Sequence, residues 1–199
     1  MDNKTKWSID KDHSTISFKI RHLMIANVNG SFKNFDGSIY TTGSDFTNAE
    51  IDLWIDPASI DTGEAKRDEH LKGFDFLDAS KHNQISFRSN TMQRKETEGA
   101  YELWGDFTLK GITKHIQLDV EFGGVAKDLN GKEKAGFVVT GKINRSDWNL
   151  LWNPTLESGG FLVSDEIKIT CELELDNLGT LDDTMKLEKE NNIAQSAQS

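Results

Sequence analysis

Apolar and polar side chains alternate along most of this chain with the two-residue period of half-buried β-strands. In HSTISFKIRH, residues 13–22, Ile16, Phe18 and Ile20 share one parity, and Ser17, Lys19 and Arg21 take the other. His22 then falls on the apolar side. AEIDLWID sets Ala49, Ile51, Leu53 and Ile55 against Glu50, Asp52, Trp54 and Asp56. The same period marks Ile85–Phe87, Tyr101–Leu109, Ile112–Phe122, Phe137–Ile143 and Ile167–Leu175. Phe32 and Phe35 have opposite parity, which predicts a bulge served by Gly30 and Gly37. LKG at 109–111 and Asn130-Gly131 read as hairpin turns. Only residues 60–78 break the pattern. Asp61 or Thr62 caps a short helix there, from about Gly63 to Lys72, with Ala65, Leu71 and Phe74 as its apolar contacts.

About eight strands at short spacing with one short α-helical insertion predict an all-β fold, an eight-stranded antiparallel β-barrel. Residues 1–176 form the barrel domain, and the charged, then small residues 177–199 form a polar C-terminal tail. An eight-stranded barrel either fills with side chains or holds one ligand. Its expected lining is Ile16, Phe18, Ile20, Leu103, Phe107, Val139, Ile143, Ile169 and Leu173. Gly105 and Gly141 share that inward parity. Their missing side chains either leave a cavity or let the wall coil sharply. His22, Arg145 and Asp165 are inward-facing and near strand ends, where a barrel has its mouth. Arg145 and Asp165 either pair to brace the 144–164 loop or belong to a polar rim above an apolar tunnel. His22 is either a satisfied core histidine or part of that rim, with Arg67 and His70. A polar rim over an apolar tunnel suits an amphipathic ligand. His13 instead braces a barrel end through hydrogen bonds.

Composition narrows the function. The 199 residues are 36% hydrophobic, with eleven Phe and five Trp, enough for one sizeable core. A net charge of −10 argues against nucleic acid and against adsorption to anionic membranes, so an anionic ligand needs a local cationic pocket. No apolar run approaches the ~20 residues of a membrane span, so no stable membrane insertion is expected. The start MDNKTKWSID lacks the apolar segment of a secretory signal, which predicts a cytoplasmic protein, or a periplasmic one if a leader was removed. Cys171, the single cysteine, shares parity with Ile167, Ile169 and Leu173 and reads as a core residue. The five histidines form no compact metal motif, and no nucleophile elbow, phosphate loop or dinucleotide fingerprint occurs. No metal, cofactor or catalytic constellation is therefore expected.

Taken in order, WSIDKDHSTISFKIRH, NVNGSFKNFDGSI, IDTGEAKRDEHLKGFDFLD, ISFRS, GDFTLKGITKHIQLDV and INRSDWN resemble the YceI-like family of polyisoprenoid-binding proteins. The most specific pieces are the HS-x-I-x-F-x-I-x-H strand and the D-T-x4-R-D-x-H-L helix. The match runs from Trp7 to about Leu175. The resemblance implies a lipocalin-like barrel enclosing a long isoprenoid chain, such as a polyprenyl pyrophosphate or a quinone, bound for storage or transport without catalysis. Two alternatives stand beside it: an enzyme acting on such a lipid or on another small hydrophobic molecule, with His22 or His70 as acid or base, and a ligand-free stress-response protein. The sequence departs from the family pattern at Ser146-Asp147-Trp148-Asn149, where acidic or aromatic residues and then glycine often follow INR. The 148–162 loop is therefore expected to shape its own pocket entrance. Monomer and homodimer are both compatible with the sequence.

Overall fold

The computed structural model describes residues 4–43, 45–156 and 160–181. Its strands are β1 (Lys4–Ile9), β2 (Thr15–His22), β3 (Ala26–Phe32), β4 (Phe35–Thr42), β5 (Asp45–Ile55), β6 (Ile60–Asp61), β7 (Ile85–Arg94), β8 (Ala100–Leu109), β9 (Ile112–Lys127), β10 (Glu133–Asn144) and β11 (Val163–Thr180). One helix, α1 (Ala65–Lys72), lies between β6 and β7. All pairings between these strands are antiparallel.

The long strand β11 is the seam. One edge pairs with β10, and the other pairs with β2 over Val163–Glu172 and with β1 over Leu175–Thr180. The ring β1-β4-β5-β7-β8-β9-β10-β11 thereby closes into an eight-stranded barrel. Closure leaves no long unpaired edge in that ring. The expected architecture is thus the one found, with the opening strands each broken once. β1 and β2 follow one another along β11, separated by residues 10–14. β3 and β4 are separated at Lys33–Asn34, which answers the parity slip between Phe32 and Phe35. There the Lys33 amide donates to Ser59 O (3.1 Å) and the Asp56 amide donates to Asn34 O (2.9 Å). Phe35 is buried and Phe32 packs against the core from its partly buried position.

The end of the barrel near the β4–β5 turn is plugged by aromatic rings. Phe46 lies 5.2 Å from Trp7, 5.6 Å from Phe122 and 4.9 Å from Phe137 between centroids. Trp7 is fully buried, and its indole N–H donates to Thr41 Oγ1 (2.9 Å). The opposite end carries the β2–β3 turn, α1, the β8–β9 turn and residues 145–156 and 160–162. β3 meets only the two-residue β6 on its outer edge, so α1 and the segment after it complete the wall there.

α1 starts later than expected. Glu64, not Asp61 or Thr62, is its N-cap, accepting from the amides of Lys66 (3.0 Å) and Arg67 (2.7 Å). Thr62 is otherwise engaged: its amide (2.9 Å) and hydroxyl (2.5 Å) donate to the buried Asp68 carboxylate. Gly63 has φ +79°, which keeps it out of the helix. Phe74 is exposed rather than packed, because α1 ends at Gly73, and Phe76 and Leu77 turn inward instead. At the C-terminus β11 runs to Thr180, four residues past the expected end of the barrel at 176, with Asn177 opposite Trp7. Most of the predicted tail, residues 182–199, lies outside the described residues.

Candidate ligand cavity

Two adjoining chambers occupy the barrel. The outer one, about 380 Å³, opens at the α1 end, and the inner one, about 150 Å³, lies deeper. Phe18, Phe32, Ile85 and Ile169 border both and form the partition. The Phe18 ring lies over Gly30, where a Cβ would overlap it, and sits 5.8 Å from the Phe32 ring. A glycine at position 30 is what lets this ring fold across the barrel.

Strand parity located the apolar lining. Ile16, Leu103, Phe107, Val139 and Leu173 line the inner chamber, Ile20 and Ile143 the outer one, and Phe18 and Ile169 both. The inner lining is apolar apart from Ser17 and Cys171. Burial pushes the Cys171 thiol up to about 12, so it stays a neutral thiol at physiological pH.

The glycine expectation needs correction. Neither Gly105 nor Gly141 borders a chamber. A Cβ at Gly105 would come within 2.5 Å of the Phe87 ring, and one at Gly141 would overlap Leu118. Neighbouring side chains have taken the volume these residues lack, so the cavity does not arise from them.

At the mouth, His22, Arg67, His70 and Arg145 all border the outer chamber, joined by Lys66. Among the described residues, no carboxylate lines it. These five groups are not equally available. The Arg145 guanidinium donates to the carbonyls of Ser164 (3.0 Å), Trp152 (3.0 Å) and Leu150. It braces residues 150–152 and 164 through their backbone carbonyls, and no salt bridge joins it to Asp165. Desolvation pulls its pKa down, opposed by the Asp165 charge. Asp165 is exposed and accepts instead from the Ser146 amide (3.0 Å) and hydroxyl (2.7 Å). The register shift between Val163 and Ile167 turns it outward, so of the two readings the Arg145–Asp165 pair does not form. Arg67 is held by Thr62, through Oγ1 (2.7 Å) and the carbonyl (2.8 Å). The Arg67-Asp68 motif therefore fastens α1 to the strand before it. His70 Nε2 meets Asp75 (2.9 Å), and its ring stands edge-on to Phe76 (5.1 Å) and Trp152 (4.8 Å). His22 and the Lys66 ammonium have no side-chain partner among the described residues.

His13 lies outside the cavity. It meets Asp10 (3.0 Å) where β1 passes into β2. There Lys134 bridges Asp10 (2.6 Å), Glu174 (3.1 Å) and Asp176 (2.6 Å). The Lys134 hydrogen bond, helped by His13, holds the Asp10 carboxyl below the usual carboxylate range.

Sequence reasoning missed Phe76, Trp152 and Lys66. The first two come from segments without a period, and Lys66 was hidden in a helix too polar to show a face. A sharper use of the D-T-x4-R-D-x-H-L spacing would have found Lys66, one turn before His70 on the same side.

The YceI-like domain model matches residues 7–175, nearly all of the described barrel. The chain belongs to the YceI-like family. A UPF0312 protein of Staphylococcus epidermidis is 36% identical over 176 residues, covering 87% of this chain and 99% of that one. Among solved structures, the YCEI protein of Campylobacter jejuni is 35% identical with a TM-score of 0.65, covering 84% of this chain and 95% of that one. A polyisoprenoid binding domain from Saccharophagus degradans shares the fold at 16% identity and a TM-score of 0.61, covering 86% and 98%. The YceI-like motifs now have physical roles in this chain. INRSDWN supplies the Arg145 brace and the buried Trp148, whose ring meets Phe107 edge-on at 5.5 Å. The opening strand supplies the Phe18 partition and ends at His22 on the rim.

Proposed function

We propose that this YceI-like protein binds a long-chain isoprenoid lipid for storage or transport and does not transform it. The observation that carries the reading is the distribution of polarity in the cavity: apolar walls, and charged or ionisable groups of the outer chamber that, among the described residues, are all amine, guanidinium or imidazole. The Saccharophagus degradans domain, by its description a polyisoprenoid binding domain, supports the same ligand class. Chain burial contributes up to ~0.8 kcal/mol per CH₂, less the cost of ordering a flexible chain. His22 and Lys66, with no partners of their own among the described residues, receive the headgroup oxygen or phosphate. Arg67, His70 and Arg145 shape the mouth, since their donors are largely engaged within the protein.

Native mass spectrometry of protein purified from its own source tests the cargo. An intact isoprenoid bound at one per chain is the expected result. A chemically altered lipid would move the reading to catalysis, and an empty barrel that takes up no added prenol would overturn it. The His22→Leu variant should fold normally and bind a phosphate-headed isoprenoid more weakly by about 1–3 kcal/mol, while binding a headless isoprenoid hydrocarbon unchanged. Equal losses for both ligands would make His22 a packing residue.

A further inference from the structure

We propose that the mouth of the barrel docks on a lipid bilayer, so that cargo passes between membrane and cavity without crossing water. This inference rests on the carrier reading for its purpose, though not for its geometry.

The apolar lining does not stop at the mouth. Met24 (60% exposed) and Ile25 (83%) follow the lining residue His22, and Phe74 (73%) lies two residues before the lining residue Phe76. The exposed Leu151 sits between Leu150 and Trp152, and the exposed Phe161 precedes Leu162, which line the cavity too. Leu23, beside Met24, is exposed too, and the remaining large exposed apolar residues described, Val125, Leu129 and Val138, lie elsewhere on the barrel. An apolar rim continuous with an apolar cavity is what an interface-seeking mouth requires.

The β2–β3 turn adds an independent observation. Leu23 and Met24 both have positive φ, +52° and +60°. A turn of this hand favours Asn-Gly, and branched or long side chains there are strained. The chain nevertheless presents Leu-Met-Ile to solvent at that tip. The Leu23 amide donates to Leu162 O (2.8 Å), which fixes the tip beside Phe161–Leu162.

Charge favours an anionic bilayer over another acidic protein surface. Among the described residues, Asp75 pairs with His70, Glu69 with Lys72, Asp78 with Lys81 and Asp147 with Lys114. Lys66 and Lys110 carry no ion pair among the described residues. Lys110 donates to Phe74 O (3.2 Å) and, with Lys81, stands over the Phe74 ring (5.6 and 5.4 Å). An aromatic side chain flanked by lysines suits the headgroup layer, with the ring buried and the ammonium groups at phosphate level. A net charge of −10 disfavours approach by other faces of the molecule.

The test is flotation of the full chain with vesicles of phosphatidylcholine and phosphatidylglycerol that contain no isoprenoid, alongside prenol binding in solution. Wild-type protein should float with the vesicles. The Met24→Asp/Ile25→Asp variant should lose vesicle binding by about tenfold or more, and Phe74→Asp, on a different segment, should do likewise. Both should keep wild-type prenol binding, which also shows that they fold. Leu129→Asp, away from the mouth, should float like wild type. Equal flotation of all variants, or no flotation of wild type, overturns the docking surface. So does a wild-type dimer in solution that the mouth variants convert to monomers, with no vesicle binding, since a second copy would then cover the rim. Docking that persists in a chain taking up no prenol supports the surface and sinks the carrier reading alone.

Discussion

Replacing Phe18 with Ala should merge the two chambers and change which chain lengths the barrel accepts. With the ring in place, the outer chamber of about 380 Å³ falls within the ~300–1,000 Å³ of ordinary small-molecule sites. The inner chamber of about 150 Å³ matches an apolar cavity that holds one benzene-sized molecule. Removing the ring joins them and adds its own volume. Burying one further five-carbon isoprene unit is worth up to ~4 kcal/mol at ~0.8 per carbon, and ordering the chain takes back on the order of 1–2 kcal/mol. Each added unit that newly fits should then tighten binding by roughly 30- to 150-fold. The stability cost is moderate. A fully buried Phe→Ala change costs about 3–5 kcal/mol, but Phe18 is half-buried and faces a void on both sides, so ~2 kcal/mol is expected. That lowers the Tm by roughly 4–8 °C for a domain of this size. The assay is calorimetric titration with prenyl alcohols of increasing length. In wild type the gain per unit should level off early, and in Phe18→Ala at a longer chain. Identical length dependence in the two proteins would refute the partition, showing that the ring swings aside at little cost.

Three further outcomes are expected. Lys134→Met should destabilise the barrel by leaving Asp10, Glu174 and Asp176 clustered without a cation. The folded Asp10 pKa is depressed in wild type, so its contribution is present above the ordinary carboxylate pKa and lost as pH falls through the folded value. In the variant the repelling carboxylates bind protons more readily, so denaturant titrations should show the stability gap to wild type closing as pH drops from 7 towards 4. A thiol reagent at pH 8 should label Cys171 only on unfolding, because the buried thiol's pKa stands at about 12; rapid labelling of folded protein would mean that the inner chamber is open to water. Removing residues 182–199 should leave the Tm within a few degrees, whereas truncation after Asp176 should lower it clearly, since it also removes the Asn177–Thr180 pairing with β1; equal melting of the two would make that pairing dispensable.

The inner chamber was legible in the sequence because strands write their facing into a period of two. Ile16, Leu103, Phe107, Val139 and Leu173 follow from parity alone. The mouth was less legible because loops carry no period: Phe76 and Trp152 reach the cavity from segments whose course only tertiary structure decides. Arg145 borders the mouth, as its parity suggested, and of its two readings the pairing with Asp165 fails, because an irregular register after Val163 rotates Asp165 outward. The glycines show a different limit. Parity can say that Gly105 faces inward, but it cannot say that the Phe87 ring across the sheet will occupy the vacated volume. The break between Phe32 and Phe35 was visible as a slip in pattern. Its consequence, two strands pairing with different neighbours, depends on β11 being long enough to take both β1 and β2.

The central claim is that an isoprenoid chain runs inward from the mouth to the Phe18 partition with its headgroup beside His22 and Lys66. A polyprenyl phosphate carrying a photoreactive group at its chain terminus tests this directly, with adducts mapped by peptide mass spectrometry. Cross-links to outer-chamber residues such as Ile20 and Ile143 are the expected result in wild type, moving to the inner-chamber residues Leu103, Phe107 and Val139 for a longer chain in Phe18→Ala. Cross-links confined to the outer surface, or to the mouth whatever the chain length, would contradict it.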